Sequence, residues 1–307
     1  LIDEAEPELV HDQFGQERNI PKNGGKTIEF RKFSSLPKAT KPLTEGVTPD
    51  GKSLSVTAQT ATVDQYGDYV TLSDMLELTA IDNTIVETLS IIGSQAGRTL
   101  DTVTREKLAA GKNVMYVPTP GANGAETAVT SRASLSAKNV LTVKQIFRAA
   151  AALKAANAKK INGDFVAIIH PYVAYDLMME AGDQWIDVQK YQHPENIYNG
   201  EIGKIGGVRF VETTEAKIWK GTGDKCADGV AVFGTLVLAA NAYGKTSVNG
   251  GGLQTIVKQK GSGGTSDPLD QRSTIGWKAV KTAEILTEEY MIRIESGSSW
   301  NDAAKAN

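Results

Sequence analysis

The chain has 307 residues, 40% hydrophobic and 22% charged, with 33 Lys plus Arg against 36 Asp plus Glu and a formal net charge of −3. That composition is ordinary for a core-forming protein, and the near-balanced charge supplies no basic field with which to grip nucleic acid. No apolar run approaches the ~20 residues that cross a bilayer, no secretory signal is read, and the single Cys226 can close neither an intrachain disulfide nor a thiolate metal site. Cys226, among Lys225, Ala227 and Asp228, reads as a spectator thiol in a surface loop. The chain opens on Leu1 and not on Met, so upstream residues are expected to have been processed away or to be missing.

Residues 1–25 have no sustained period and end in Ile20-Pro21-Lys22-Asn23-Gly24-Gly25, which predicts an arm lying across something else and outside the core. Lys26 to Phe33 alternates, with Ile28 and Phe30 on one face, and Leu54 to Val63 does the same from Leu54, Val56 and Ala58. About twenty residues rich in Pro, Thr, Gly and Lys separate these strands, a long connection of the kind that is normally functional. A lone hairpin is marginal in water, so this one has to lean on its own domain or on a neighbouring copy. Tyr66 to Leu72 returns in extended form and Ser73 to Leu78 makes a short helical turn.

The segment Asp82 to Gly111 organises the rest. Ile85, Leu89, Ile92, Ala96, Leu100, Val103 and Leu108 lay one apolar stripe along a helix, opposite Glu87, Ser94, Arg98, Asp101 and Arg105. Asp82 or Asn83 is placed to cap its start, and Gly111 sits where a left-handed C-cap belongs. The helix is expected to be roughly 40 Å long, far longer than the usual globular helix. Gly93 and Gly97, one turn apart, read as points of close approach or bending.

Val114 to Val117 and Ala128 to Arg132 are expected to be short extended pieces. Thr142 is expected to cap a second helix, Val143 to Ala156, with the stripe Val143, Ile146, Phe147, Ala150 and Leu153. Phe165 to Ile169 reads as a strand buried on both faces. His170-Pro171 closes it, and Pro171 opens a helix over Tyr172 to Glu180. Gly200 to Thr214 reads as loop, glycine turn and strand, Val230 to Phe233 as a buried strand, and Leu253 to Val257 and Ile275 to Ile294 as strand material, with a flexible link at Gly261-Ser262-Gly263-Gly264 between them. Asn301 to Asn307 has little to bury.

The chemistry-bearing residues form no constellation. Gly244-Lys245-Thr246 lacks the glycine a P-loop needs at Ala239, and Gly25-Lys26-Thr27 lacks it at Ile20. His11, His170 and His193 are isolated from one another and from Cys226. Asp64 with Asp68, or Asp267 with Asp270, read as exposed loop carboxylates before an acid/base pair, and Trp185, Trp219, Trp277 and Trp300 as core or subunit-interface residues. No catalytic, cofactor-binding or metal-binding residue is assigned.

The order of parts, and several runs, carry a resemblance. The runs are Gly15-Gln16 with Ile20-Pro21-Lys22, Lys26-Thr27-Ile28-Glu29-Phe30-Arg31-Lys32, Pro42-Leu43-Thr44-Glu45-Gly46-Val47-Thr48-Pro49, Gln65-Tyr66-Gly67, and the stretch from Gly200 to Thr213. They resemble the major capsid proteins of tailed bacteriophages, of the Hong Kong 97 fold, and are similar to the coliphage N-four-type branch. The resemblance implies an α+β fold with an N-terminal arm at 1–25 and an extended E-loop hairpin at 26–65. It implies a peripheral domain at 66–139 and 253–285 with a spine helix at 83–110, and an α/β axial domain with C-terminal strands at 140–252 and 286–307. It further implies a non-enzymatic structural subunit, without cofactor, that forms pentamers and hexamers of an icosahedral shell. That shell would enclose double-stranded DNA without sequence-specific binding or membrane association. Scaffold, decoration and portal proteins are the other partners implied, with the virion as location and the bacterial host cytoplasm as the place of assembly. The same fold serves encapsulin compartments, the alternative reading, and an uncharacterised α/β enzyme is a remote one.

Overall fold

The computed structural model describes residues 9–21, 23–33, 36–48, 50–79, 84–121, 125–182, 185–187, 198, 200–246, 252–264 and 267–307. In chain order, β1 (Gln16–Glu17) ends the arm and β2 (Thr27–Phe33) and β3 (Val56–Thr62) form the hairpin. Then come β4 (Asp64–Ser73), α1 (Asp74–Thr79), α2 (Thr84–Ala109), β5 (Val114–Tyr116), β6 (Thr119–Pro120) and β7 (Glu126–Thr127). The middle of the chain is α3 (Val143–Ala155), β8 (Phe165–Ile169), α4 (Pro171–Ala181), β9 (Ile186–Asp187), β10 (Glu201–Ile205), β11 (Val208–Glu212), β12 (Ile218–Lys220) and β13 (Ala231–Leu238). It closes with β14 (Tyr243–Thr246), β15 (Gln254–Lys258), β16 (Arg272–Ile285) and β17 (Met291–Ser296).

The main core surrounds an eight-stranded mixed sheet ordered β5-β17-β13-β8-β11-β10-β9, with β12 on β13. Every residue of β8 and β13 is buried, as their unbroken apolar runs require when both faces are covered. One face packs on α3 and α4 through Ile146, Leu153, Val173 and Leu177. The β10–β11 hairpin turns at Gly206 and Gly207, both at positive φ (60° and 81°), the conformation that a two-residue turn between twisted strands demands. Phe147 is not inside, as its stripe predicts: it is exposed and lies against Gly206, while Ala149 takes the buried place.

A second sheet places β16 at its centre, with β4 antiparallel along residues 272–281 and β15 and β14 pairing at 274–278 and 282–285. The apolar stripe of α2 packs on it through Ile92, Ala96 and Leu100 against Leu72, Ile275, Trp277 and Ala279. At 26 residues the helix is about 39 Å long. The expected caps Asp82 and Asn83 lie outside the described residues. Gly111 does not take the left-handed φ; a Cβ there would meet Met291 Cε at 2.5 Å and the Leu108 carbonyl at 3.2 Å, so the position is tightly packed and a larger residue would have to displace the Met291 side chain.

The strand material of 275–294 is divided in two, because the backbone turns at Glu288–Tyr290, where the Leu286 and Thr287 N–H groups both donate to the Ala242 carbonyl. β16 and β17 therefore belong to different sheets. Residues 128–130 are irregular. Thr142 makes no side-chain cap; the Val143 N–H is satisfied by Glu180 Oε2 at 2.8 Å. The C-terminal tail is pinned, with Ala304 buried and Asn307 bonded to Ile218 N–H and the Ala216 carbonyl at 2.9 Å each. The arm, expected to lie outside the core, contributes Val10 and Phe14 to a buried cluster with Leu108, Leu238 and Tyr243.

Candidate assembly surfaces

The hairpin is anchored at its base and bare toward its tip. Phe30, Ala61 and Val63 are buried, Phe30 lies against Gly244, and Gln59 donates to Glu284 Oε1 at 3.3 Å. The face shared by Leu54, Val56 and Ala58 is exposed, in keeping with a hairpin that buries little by itself. Phe33 and Val56 are direct cross-strand partners and both are exposed, as are Leu36, Leu43, Val47 and Leu54 in the long connection. Met75, Leu76 and Leu78 of α1 and Ile85, Val86 and Ile91 of α2 are also exposed, although Ile85 begins the stripe that is buried further along. Large apolar side chains left exposed in such numbers on these elements fit surface that another macromolecule covers.

The outer face of the second sheet is a shallow trough floored by Gly67 and Gly276 and flanked by Tyr69, Ile256 and Lys258. A Cβ on Gly67 would lie 2.6 Å from the Trp277 carbonyl and one on Gly276 2.7 Å from Tyr69 Cβ, so the glycines let β4 and β16 approach. All five residues of β15 are exposed, and β15 ends its sheet's strand order, a position that presents an unpaired backbone edge.

Two buried ionic clusters hold these surfaces to the body. In the first, His11 and Asp101 are both 0% exposed. Asp101 accepts the His11 backbone N–H at 2.7 Å, and its other oxygen lies 2.6 Å from His11 Nδ1. Asp12 accepts from Thr104 Oγ1 at 2.6 Å and pairs with Lys281, which also donates to the Leu100 carbonyl at 3.0 Å. The Tyr243 hydroxyl donates to the His11 carbonyl; burial, then the charge of Asp12, pushes this phenol well above its ordinary pKa. In the second cluster, Glu295 accepts two bonds from Arg132 (2.8 and 2.6 Å) and one from Arg293 Nε at 2.9 Å. Arg293 caps the C-terminal carbonyls of α2 at Ala109 and Gly111. The guanidinium groups of Arg132 and Arg293 lie 3.8 and 5.4 Å from the Trp219 ring. Burial opposes charge on Arg132, yet the Glu295 hydrogen bond and its negative charge leave that guanidinium above its ordinary value.

The sequence placed Asp101 and Arg105 on a solvated helix face. Both are buried, because the arm covers Asp101 and the Glu215 segment covers Arg105, whose Nη1 donates to the Glu215 carbonyl at 2.9 Å. Cys226 is buried, not surface-exposed, beside Trp219, Leu135 and Val232, and burial pushes its thiol up to about 11. His170 accepts the Tyr172 N–H at its Nδ1, 3.2 Å away, and burial pulls its pKa down to about 4. His193 lies outside the described residues. Gly244-Lys245-Thr246 is the paired strand β14, and Asp68, in β4, accepts from Gln95 at 2.7 Å. Among the described residues, no three His, Cys, Asp or Glu gather to hold a metal ion. Trp185 packs on Phe210 and Trp300 stacks on Tyr172 at 5.5 Å. The two ionic clusters had no signal in the sequence: their partners are 90, 269 and 163 residues apart.

A long helix bracing a small open sheet, an α/β body and a projecting hairpin with uncovered apolar residues define a shell-forming subunit of the Hong Kong 97 type. The chain belongs to the phage capsid protein family, whose model matches residues 11–265, and it is a major capsid shell protein. The match is to the family as a whole and singles out no N-four-type branch. The fold is similar to the capsid of Ralstonia phage GP4, with 14% identity, coverage of 93% of this chain and 87% of that one, and a TM-score of 0.71. It is also similar to the capsid of cyanophage P-SCSP1u (16%, 95% and 89%, TM-score 0.66). The holo-SrpI encapsulin complex of Synechococcus elongatus PCC 7942 is a more distant fold relative (8%, 95% and 88%, TM-score 0.58). No curated protein matches the sequence.

Proposed function

We propose that the chain assembles as pentamers and hexamers into an icosahedral shell enclosing double-stranded DNA, within the host cytoplasm, and that it has no catalytic role. The observation that carries this reading is the hairpin: paired over seven residues, buried at Phe30 and Ala61, and with Phe33, Val56, Leu36, Leu43, Val47 and Leu54 left exposed at its far end and in its long connection. Such a hairpin completes itself on another copy. We assign 1–25 to the arm, 26–65 to the E-loop, 66–139 and 253–285 to the peripheral domain, and 140–252 and 286–307 to the axial domain and C-terminal strands. Scaffold, decoration and portal proteins are its further partners.

Negative-stain microscopy with nucleic-acid analysis tests the reading. Closed shells containing DNA support it, shells filled with protein cargo would place the chain with encapsulins, and absence of shells refutes it. Shortening residues 36–53 to a tight turn is expected to leave folded subunits that fail to close shells. Unfolding of the subunit by that deletion would show that the loop serves the monomer instead.

A further inference from the structure

We propose that copies of this chain are keyed to one another by charge, the basic connection of one copy's hairpin seating on the acidic face that α1 and the start of α2 form in the next copy. The inference rests on the shell reading above and adds which two surfaces meet and what orients them. Charge is segregated along the chain. Residues 26–52 hold Lys26, Arg31, Lys32, Lys38, Lys41 and Lys52 against Glu29, Glu45 and Asp50, a net of +3. Residues 74–91 hold Asp74, Glu77, Asp82 and Glu87 and no Lys, Arg or His, a net of −4. Lys38, Lys41 and Lys52 are exposed, as is Glu87. Among the described residues, the ion pair within the hairpin is Arg31 with Glu29 at 3.3 Å, and no base pairs with Asp74 or Glu87; Asp74 accepts the Met75 N–H instead. The same two surfaces leave apolar side chains uncovered, Leu36, Leu43 and Val47 on one and Met75, Leu78 and Val86 on the other. Along one copy they are set apart: β3 enters β4 through the single residue Val63 and α1 follows β4 directly, so strand residues 56–73 intervene.

Charge decides among the ways in which two such surfaces can cover themselves. Apolar area alone would let a hairpin stick to another hairpin, or an acidic face to its like. Either self-contact sets like charges against one another, which is strongly opposed. The hairpin connection on the acidic face is the pairing that attracts. It joins two different patches, so it runs head to tail, the kind of contact that makes a ring when the rotation from copy to copy closes. The other uncovered element, β15, holds no acid and ends in Lys258, with Lys260 two residues on, so it offers the basic connection no partner. Because these groups are exposed, salt screens them over about 10 Å at 0.1 M. The key therefore orients and speeds encounter, and the apolar side chains hold the copies together once docked.

Assembly of the purified full-length chain, followed by light scattering and microscopy, tests the proposal. Lys38→Glu, Lys41→Glu and Lys52→Glu together turn the hairpin stretch from +3 to −3, and are expected to slow shell formation at least about tenfold at low salt. Raising the salt is expected to slow the wild-type chain and to speed this variant, because screening weakens attraction in one and repulsion in the other. Adding Asp74→Lys, Glu77→Lys and Glu87→Lys turns the face from −4 to +2, and is expected to restore most of the lost rate. If that doubly reversed chain fails to fold, the sign of the salt response decides alone. The proposal is overturned if the hairpin variant assembles at the wild-type rate, if salt moves both chains in the same direction, or if the folded doubly reversed chain assembles no faster than the hairpin variant. Absence of shells from the wild-type chain would instead refute the shell reading beneath it.

Discussion

Replacing Glu295 by Gln isolates the energetics of the joint between the long helix and the main sheet. Glu295 is 0% exposed and accepts three charge-assisted bonds from Arg132 and Arg293 at 2.6–2.9 Å. The amide keeps the shape but removes the carboxylate that, among the described residues, alone pairs with these two guanidinium groups, whose side chains are 17% and 9% exposed. Breaking a buried pair by neutralising one partner costs about 3–5 kcal/mol, because the remaining charge is left uncompensated. Arg293 also holds the Ala109 and Gly111 carbonyls, so the C-terminal turn of α2 is expected to fray as well. Urea unfolding followed by tryptophan fluorescence reads the loss, with Trp219, whose ring lies 3.8 and 5.4 Å from the two guanidinium groups, as a local probe. Glu126→Gln is the control, since Glu126 pairs at 2.7 Å with a Lys144 side chain that is largely solvent-exposed and is expected to cost less than about 1 kcal/mol. A Glu295→Gln loss no larger than the control would refute the view that this cluster is a required joint.

Gly93 and Gly97 are both buried in α2. Alanine at one or both is expected to overpack and cost about 1–3 kcal/mol, whereas thermal melts of particles showing two increases, each worth up to about 1 kcal/mol, would refute this. His170 is held neutral, with its pKa near 4 in the fold against about 6.5 unfolded. The unfolded chain therefore binds the extra proton first as pH falls, and stability present above about 6.5 is lost toward 4, by about 3 kcal/mol in all. His170→Asn is expected to flatten that limb of the stability–pH curve, and an unchanged slope would contradict the assignment. Duplex binding by unassembled subunits at about 150 mM salt is expected to be no tighter than the 10⁻⁴–10⁻⁶ M of non-specific binders. Sub-micromolar affinity with steep salt dependence would reveal a nucleic-acid site.

The sequence by itself determined the elements whose signal is local. The long helix is predicted at 83–110 and runs Thr84–Ala109, because a 3.6-residue stripe is readable wherever one face is buried. The β8 strand, the β2–β3 hairpin and the Pro171 helix start follow from apolar runs, alternation and the fixed φ of proline, all short-range properties. The family resemblance rested on the same local runs. Only the tertiary structure decided what covers each surface. Asp101 and Arg105 look solvated by period, yet the arm and the Glu215 segment bury them. Ile85 opens the same apolar stripe and is left exposed in the helix's first turn. The division of 275–294 into strands of two sheets follows from two N–H groups meeting the Ala242 carbonyl, and no pattern within the segment encodes that meeting. Burial and charge pairing depend on which distant segments arrive at a site, and periodicity reports only which face of an element is apolar.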